Sequence, residues 1–215
     1  MVSFNKNIVY QKKEWTVNRS KEEIAQGLEM LKKINKPIVT FCGSARTQPS
    51  DFFYKHALSV SEQLGSRGYA IITGAGRGIM EAAAKGATKA QTDSIGLRVE
   101  GHTTDVVDRK YLTQILQFKL FFAKRFIGLI KSRAIIYYPG GLGTLNELME
   151  NMMLIQNQAV DPIPLVCVGK KFWNHLFNWL DDETLKGNYL TRGSLDQVHI
   201  LDTEEEILKL IENLK

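Results

Sequence analysis

The chain of 215 residues carries only two cysteines, Cys42 and Cys167, each inside an apolar run, "IVTFCG" and "PLVCVG". It has no CxxC pair and no Cys/His cluster, which excludes a disulfide framework and a structural zinc site. Two buried free thiols and a cytoplasmic location are expected. No apolar stretch approaches the ~20 residues that span a bilayer. The opening segment "MVSFNKNIVYQKKEWTVNRSKEE" has no long apolar block and no small-residue cleavage pattern, so neither membrane insertion nor a secretory signal is expected. The four histidines, His56, His102, His175 and His199, show no ligand spacing, and no metal is expected. Internal repeats and low-complexity tracts are also missing.

What is present is an ordinary globular composition, 44% hydrophobic and 24% charged. That is enough to build a core without staples. The net charge is +5, which suits nucleic acid or small anions equally. Much of the positive charge is local. The segment "FKLFFAKRFIGLIKSR", residues 118–133, carries Lys119, Lys124, Arg125, Lys131 and Arg133 and no acid. It reads as one basic helix rather than a basic tail, and aromatic-interleaved RNA-binding signatures are absent. No nucleic-acid partner is expected.

Residues 1 to about 19 read as an irregular polar arm. "SKEEIAQGLEMLKKINK" then reads as a helix capped by Ser20, with Glu23 closing a capping box and Ile24, Leu28, Leu31 and Ile34 at helical spacing. From Pro37 onward, short apolar strands alternate with helices. The strands are "IVTFCG", "YAIITG", "DSIGLRV", "TQILQF", "AIIYYPGG", "IPLVCVG" and "QVHILD". Such alternation predicts an α/β fold, a Rossmann-like doubly wound parallel sheet. We expect a single domain over 37–215, preceded by an N-terminal arm and helix over 1–36. Ligands of such folds bind outside the carboxyl ends of the strands, where the strand order reverses.

Three of the strands end in small-residue turns: "CGSAR", "TGAGRGIM" and "PGGLGT". In a parallel sheet all three lie on one edge. Glycine there ends a strand, or lets a ligand approach backbone N–H groups at the start of the next helix; three such turns on one edge favour a phosphate cradle. "GAGRGIM" is not GxGxxG, and no P-loop lysine follows the glycines. The candidate cradle is Ser44, Gly74, Gly76, Gly78, Met80, Gly140, Gly141, Gly143 and Thr144. Glu147, one helical turn past Gly143, is either a solvated helix residue or a carboxylate turned back over the ligand edge. Glu150, one turn further, reads as structural. Lys124 and Arg125 are either a charged rim on a packed helix or the screen for a phosphate. Glu81 either complements its helix dipole or serves as a second carboxylate toward ribose.

"PGGLGTLNE" resembles the PGGxGTxxE signature of the Lonely Guy family, the cytokinin riboside 5′-monophosphate phosphoribohydrolases once labelled lysine decarboxylases. "GSAR", "ITGAGRGIMEAAAKGA" and "FKLFFAKR" are similar to the family pattern as well, so that the likeness runs from about Pro37 to the C-terminus. The resemblance implies cleavage of the N-glycosidic bond of a purine nucleoside 5′-monophosphate by a homodimer without a cofactor. It puts the motif glutamate on Glu147 and the phosphate cradle on Gly140, Gly141, Gly143 and Thr144. The family's basic pair, usually Arg-Lys, falls on Lys124 and Arg125 in reversed order. The family's further Gly and Pro in the second turn are Ala75 and Arg77 here. A second reading is a nucleotide- or pterin-cofactor-binding protein without hydrolysis, since molybdenum-cofactor carriers have a similar fold. For amino-acid decarboxylation, no lysine has a recognisable pyridoxal context.

Overall fold

Strands buried on both faces read as near-continuous apolar runs, and Ile38, Val39, Phe41, Ile71, Ile72, Ile135 and Ile136 are each at most 1% exposed. The structure is a computed structural model describing residues 13–100, 107–191 and 193–214. Its strands are β1 (Ile38–Cys42), β2 (Ala70–Thr73), β3 (Ser94–Val99), β4 (Gln114–Phe118), β5 (Ser132–Tyr137), β6 (Leu165–Val168) and β7 (Val198–Leu201). They form one sheet in the order β4-β3-β2-β1-β5-β6-β7, and every neighbouring pair is parallel. The expected Rossmann-like α/β architecture is the one observed. The order reverses between β1 and β5, so the loops leaving these two strands run to opposite sides and open a crevice.

The helices are α1 (Lys13–Lys32), α2 (Phe52–Ser66), α3 (Ile79–Lys89), α4 (Phe121–Ile130), α5 (Leu142–Gln156), α6 (Lys170–Trp179) and α7 (Glu204–Glu212). Strand periodicity sorts them into two layers. Val39, Phe41, Ala134 and Ile136 point toward a core shared with α2, α3 and α7. Ile38, Ile72, Ile95 and Leu97 point the other way, toward α1 and α4. Cys42, Ile135, Tyr137, Leu165 and Cys167 share that second face with α5 and α6. Each such aliphatic side chain contributes roughly 1.5–3 kcal/mol by leaving water.

Small residues let α3 lie against α2. A side chain at Gly86 would collide with the Leu58 carbonyl, and Ser61 donates to the Ala83 carbonyl at 2.6 Å. The "MEAAAKGA" segment therefore packs within the chain. Both cysteines are free and buried. No helix among the described residues is long and apolar enough to cross a membrane.

The N-terminal region differs from expectation. The helix begins at Lys13 rather than at Ser20, which lies inside it and donates to the Thr16 carbonyl at 2.6 Å. Glu23 closes no capping box. It is 1% exposed and pairs with Arg19 one turn earlier at 2.6 Å. It also accepts from the Lys119 and Leu120 backbone N–H groups at 2.7 and 3.2 Å. The local pattern is silent about this partner because it lies some 96 positions away in the chain. Residues 1–12 of the expected arm, and His102, lie outside the described residues.

Candidate active site

The three small-residue turns meet at the carboxyl edge and are tied together by backbone. The Ser44 N–H donates to the Pro139 carbonyl, and the Ile79 N–H donates to the Ser44 carbonyl, both at 3.1 Å. The first turn is thereby bonded to both of the others. Gly78 has φ of +64°, and a Cβ there would run into the Ser44 carbonyl oxygen. Ala75 also holds a positive φ, 56°, which a non-glycine residue adopts at a cost. Its N–H is held by the Thr73 hydroxyl at 3.2 Å.

Around these turns lies a cavity of about 660 Å³, within the usual size for a small-molecule site. Lys124, Arg125 and Glu147 line it. So do Ser44, Gly74, Gly76, Met80, Gly141, Gly143 and Thr144. Of the residues singled out in the sequence, Gly78, Glu81 and Gly140 are not in the lining. Gly78 holds two turns together. Gly140 makes room for Thr144, whose side chain an added Cβ would strike. Glu81 pairs with Lys85 at 2.7 Å, and Lys85 donates to the Tyr54 hydroxyl at 2.9 Å.

The glycines of the third turn divide by role. A Cβ on Gly141 or Gly143 would meet nothing within 4 Å, so packing does not demand glycine there. Gly141 caps α5 without a side-chain hydrogen bond. The first turn of a helix leaves N–H groups without intrahelical partners and carries the positive end of the dipole. An anion is the chemical complement of that arrangement. Met80 covers the second turn: a Cβ at Gly74 would lie 2.8 Å from its sulfur. Arg46 is exposed in the first turn and lines the same cavity.

The opposite wall is built from α4 and α5, joined by two ion pairs one residue apart on α4. Lys124 pairs with Glu147, and Arg125 pairs with Glu150. The side chains of Lys124 and Glu147 are 17% and 21% exposed. Burial alone would raise the Glu147 pKa, but the Lys124 ammonium beside it outweighs burial and holds the carboxyl below its ordinary value. The Lys124 pKa is correspondingly raised, burial being outweighed by Glu147. Burial, and then the nearby Glu147 carboxylate, push the Cys42 thiol well up, so it stays protonated and is no nucleophile. The site thus holds an ionised carboxylate paired with an ammonium, one helical turn from the uncapped start of α5.

Sequence reasoning missed three contributors to this wall. Cys42 appears in the sequence only as a buried thiol. Glu23 caps the start of α4 from a distant helix. Asn151 lines the cavity one turn beyond Glu147 and is 7% exposed. A signal for Asn151 was present: an amide at i+4 from Glu147, beside the apolar Leu148, Met152 and Ile155.

The profile of the family described as "Possible lysine decarboxylase" matches residues 80–211. The chain belongs to that family. No curated protein matches it. Among solved structures, the molybdenum cofactor binding protein from the phototrophic bacterium Rippkaea orientalis is 25% identical. That match covers 84% of this chain and 98% of the other with a TM-score of 0.63. The molybdenum cofactor carrier protein of Chlamydomonas reinhardtii is 21% identical over 84% of this chain and 98% of its own, with a TM-score of 0.61. DNA processing protein A from Streptococcus pneumoniae is 15% identical over 82% of this chain and 62% of its own, with a TM-score of 0.57. The last two likenesses are of fold alone. The family match begins at Met80 and takes in α4, α5 and both ion pairs; the first turn and α1 lie before it.

Proposed function

We propose that the protein hydrolyses the N-glycosidic bond of a purine nucleoside 5′-monophosphate, releasing free base and ribose 5-phosphate, as in the Lonely Guy phosphoribohydrolases. The observation that carries this reading is Glu147: an ionised, largely buried carboxylate in the cavity, one turn past an unobstructed glycine turn. In this reading the 5′-phosphate lies on the N–H groups of Gly141, Gly143 and Thr144, with Arg46 at the mouth. The ribose then lies beside Glu147. Departure of the base builds positive charge on C1′ and the ring oxygen, and a fixed carboxylate stabilises that charge and orients the attacking water. The base occupies the apolar part of the cavity, among Ile72, Leu97, Val99 and Ile135.

The reversed basic pair bears on rate. Lysine is a point charge without the planar fork of arginine. Lys124, in the position where the family usually has arginine, holds Glu147 through one ammonium, and Arg125 is engaged with Glu150. A panel of nucleoside monophosphates, with free base detected by mass, tests the proposal. Adenine from AMP, lost in Glu147→Gln, is the expected result. No base from any member of the panel, with folded protein, contradicts it.

A second reading has an observation in its favour. The structure at 25% identity is that of a molybdenum cofactor binding protein, and an anion cradle beside a closed ion pair also suits a phosphorylated pterin held without reaction. Recovery of nucleotide or pterin intact after incubation selects it. The decarboxylation in the family's description fits poorly. A pyridoxal enzyme needs a lysine that gives up its proton to form a Schiff base. Lys124, the one lysine in the cavity lining among the described residues, is ion-paired and has its pKa raised.

A further inference from the structure

Behind the third turn, where Tyr138 joins the core layer of α2, α3 and α7, lies a buried polar pair that lines no part of the cavity. His56, in the second turn of α2, is 5% exposed, and Tyr138, the residue after β5, is fully buried. Nδ1 of His56 and the Tyr138 hydroxyl form a hydrogen bond of 2.9 Å. The other ring nitrogen, Nε2, is buried and has no hydrogen-bond partner among the described residues. Apolar side chains fill such positions at lower cost, so the pair needs a reason. Its place supplies one. Tyr138 is followed directly by Pro139, Gly140 and Gly141. Its N–H donates to the Cys42 carbonyl at 2.9 Å, and its ring meets that of Phe53 edge-on, with 6.3 Å between centroids. The side chains of Phe53 and Pro139 both lie against Gly169. The strand end that carries the turn is thus held by β1 through backbone and by α2 through the Tyr138 side chain.

The charged groups that act on the ring, Glu204 and Asp202, come from the β7–α7 junction. Ser59 Oγ donates to the Glu204 carboxylate at 2.7 Å, and the Lys170 N–H to that of Asp202 at 2.7 Å. The Lys170 ammonium faces Glu206 at 3.7 Å, and Lys55, next to His56 on α2, is exposed. Burial outweighs Glu204 and Asp202 and holds the His56 pKa below its ordinary value. We propose that His56 is a positioning residue: the neutral imidazole holds Tyr138, and through it the Pro139–Gly141 turn, in the form that binds phosphate, so that taking up a proton weakens the site. The inference rests on the phosphate cradle of the reading above, and not on whether the glycosidic bond is cleaved. It does not depend on the tautomer. If the Tyr138 hydroxyl donates to Nδ1, protonation takes that acceptor away. If Nδ1 carries the proton, the new one falls on Nε2, which has no partner. In both cases a charge arises inside a core layer, and Glu204 and Asp202 are the groups placed to meet it. Meeting them turns the ring from Tyr138 and frees the strand end.

Ribose 5-phosphate is the probe. Its affinity is measured by calorimetry as a function of pH for the wild type, His56→Leu and Tyr138→Phe, and the His56 ring protons are titrated by NMR with and without it. Across the His56 titration the wild type is expected to lose about tenfold more affinity than His56→Leu, the scale of one hydrogen bond made or broken. The loss shared with the variant reports the proton taken up by the phosphate itself. Linkage is reciprocal, so the saturating ligand moves the His56 midpoint down by about one pH unit. A phosphate that only attracts the imidazolium through space moves it up. Tyr138→Phe keeps the ring and cancels both effects. A purely structural pair lowers the melting temperature of the variants but leaves their affinities falling in parallel with the wild type. Parallel loss, or a midpoint that stays or rises, overturns the proposal. If His56→Leu does not fold, the wild-type midpoint decides alone. Ribose 5-phosphate bound at no pH removes the cradle and this proposal together. Bound ribose 5-phosphate with AMP left intact removes only the hydrolytic reading.

Discussion

On one wall of the cavity, α4 and α5 face each other through two ion pairs, Lys124 with Glu147 and Arg125 with Glu150. On the other, the turns after β1 and β2 offer mostly backbone, with Gly43, Gly74 and Gly76 in the lining and Met80 laid across the second turn. The first wall gets its properties from side-chain charge and is therefore sensitive to pH and to isosteric substitution. The second gets them from what is missing at Cβ and is sensitive to any added atom. The two walls meet where the Ser44 N–H donates to the Pro139 carbonyl at 3.1 Å. Charge is thus concentrated on the helices and shape on the turns, while the sheet holds the two in register.

The largest expected effect separates the members of the charged wall. Glu147→Gln is predicted to lower base release by at least ~10²-fold with AMP binding retained, the usual scale for a group acting at the transition state. Glu150→Gln, one turn further, is predicted to lower stability by about 1–2 kcal/mol, discounted for its partly exposed pair, and to leave catalysis much less affected. Steady-state rates and denaturant melts on both variants check this. Equal loss of rate in the two breaks the distinction.

The next effect divides the glycines. Gly78→Ala is predicted to cost about 3 kcal/mol, because the positive φ and the collision with the Ser44 carbonyl act together. Gly143→Ala, with open space around its Cβ position, is predicted to change stability by under about 0.5 kcal/mol while weakening phosphate binding. Urea melts set beside titration with ribose 5-phosphate give both numbers. Loss of stability without loss of affinity at Gly143 erases the difference.

Lys124→Met sharpens the charged wall through pH. The Glu147 carboxyl, held below its ordinary range by Lys124, stabilises the fold at neutral pH, and that contribution is lost as pH falls through its lowered value. Without the ammonium, burial dominates and raises the pKa. The acid limb of the rate profile therefore moves toward neutral pH in the variant, and an unmoved limb contradicts the assignment of Glu147 as the titrating group. The last effect tests whether the charged wall is set from outside itself. Glu23→Gln keeps the size but offers an amide where two backbone N–H groups expect an acceptor. It is predicted to cost about 1–2 kcal/mol and to speed amide exchange at Lys119 and Leu120.

Much of this was legible in the sequence, for physical reasons. Strands buried on both faces leave unbroken apolar runs, and "IVTFCG" or "AIIYY" admit few other readings. The glycine turns identify themselves by composition, and Glu147 by its spacing from Gly143. The role of Glu23 was hidden because its partners are backbone groups in a distant segment, which no local pattern encodes. The start of α1 was missed because "KKEWTVNR" lacks a clear apolar period, and tertiary packing decides there: Gly27 lies close against Ile127 of α4. Gly78 and Gly140 looked like ligand contacts, since composition cannot tell a glycine that admits a ligand from one that admits a neighbouring backbone or side chain. Asn151 was passed over although its spacing from Glu147 was visible, and its bond to the Tyr137 hydroxyl joins a helix and a strand that no local pattern links.

The most direct measurement is the fate of AMP on the folded wild type and on Glu147→Gln, with adenine and ribose 5-phosphate both quantified. The account predicts the two products in equal amounts from the wild type, and AMP bound but uncleaved by the variant. Intact AMP from both proteins, or equal cleavage by both, would contradict it.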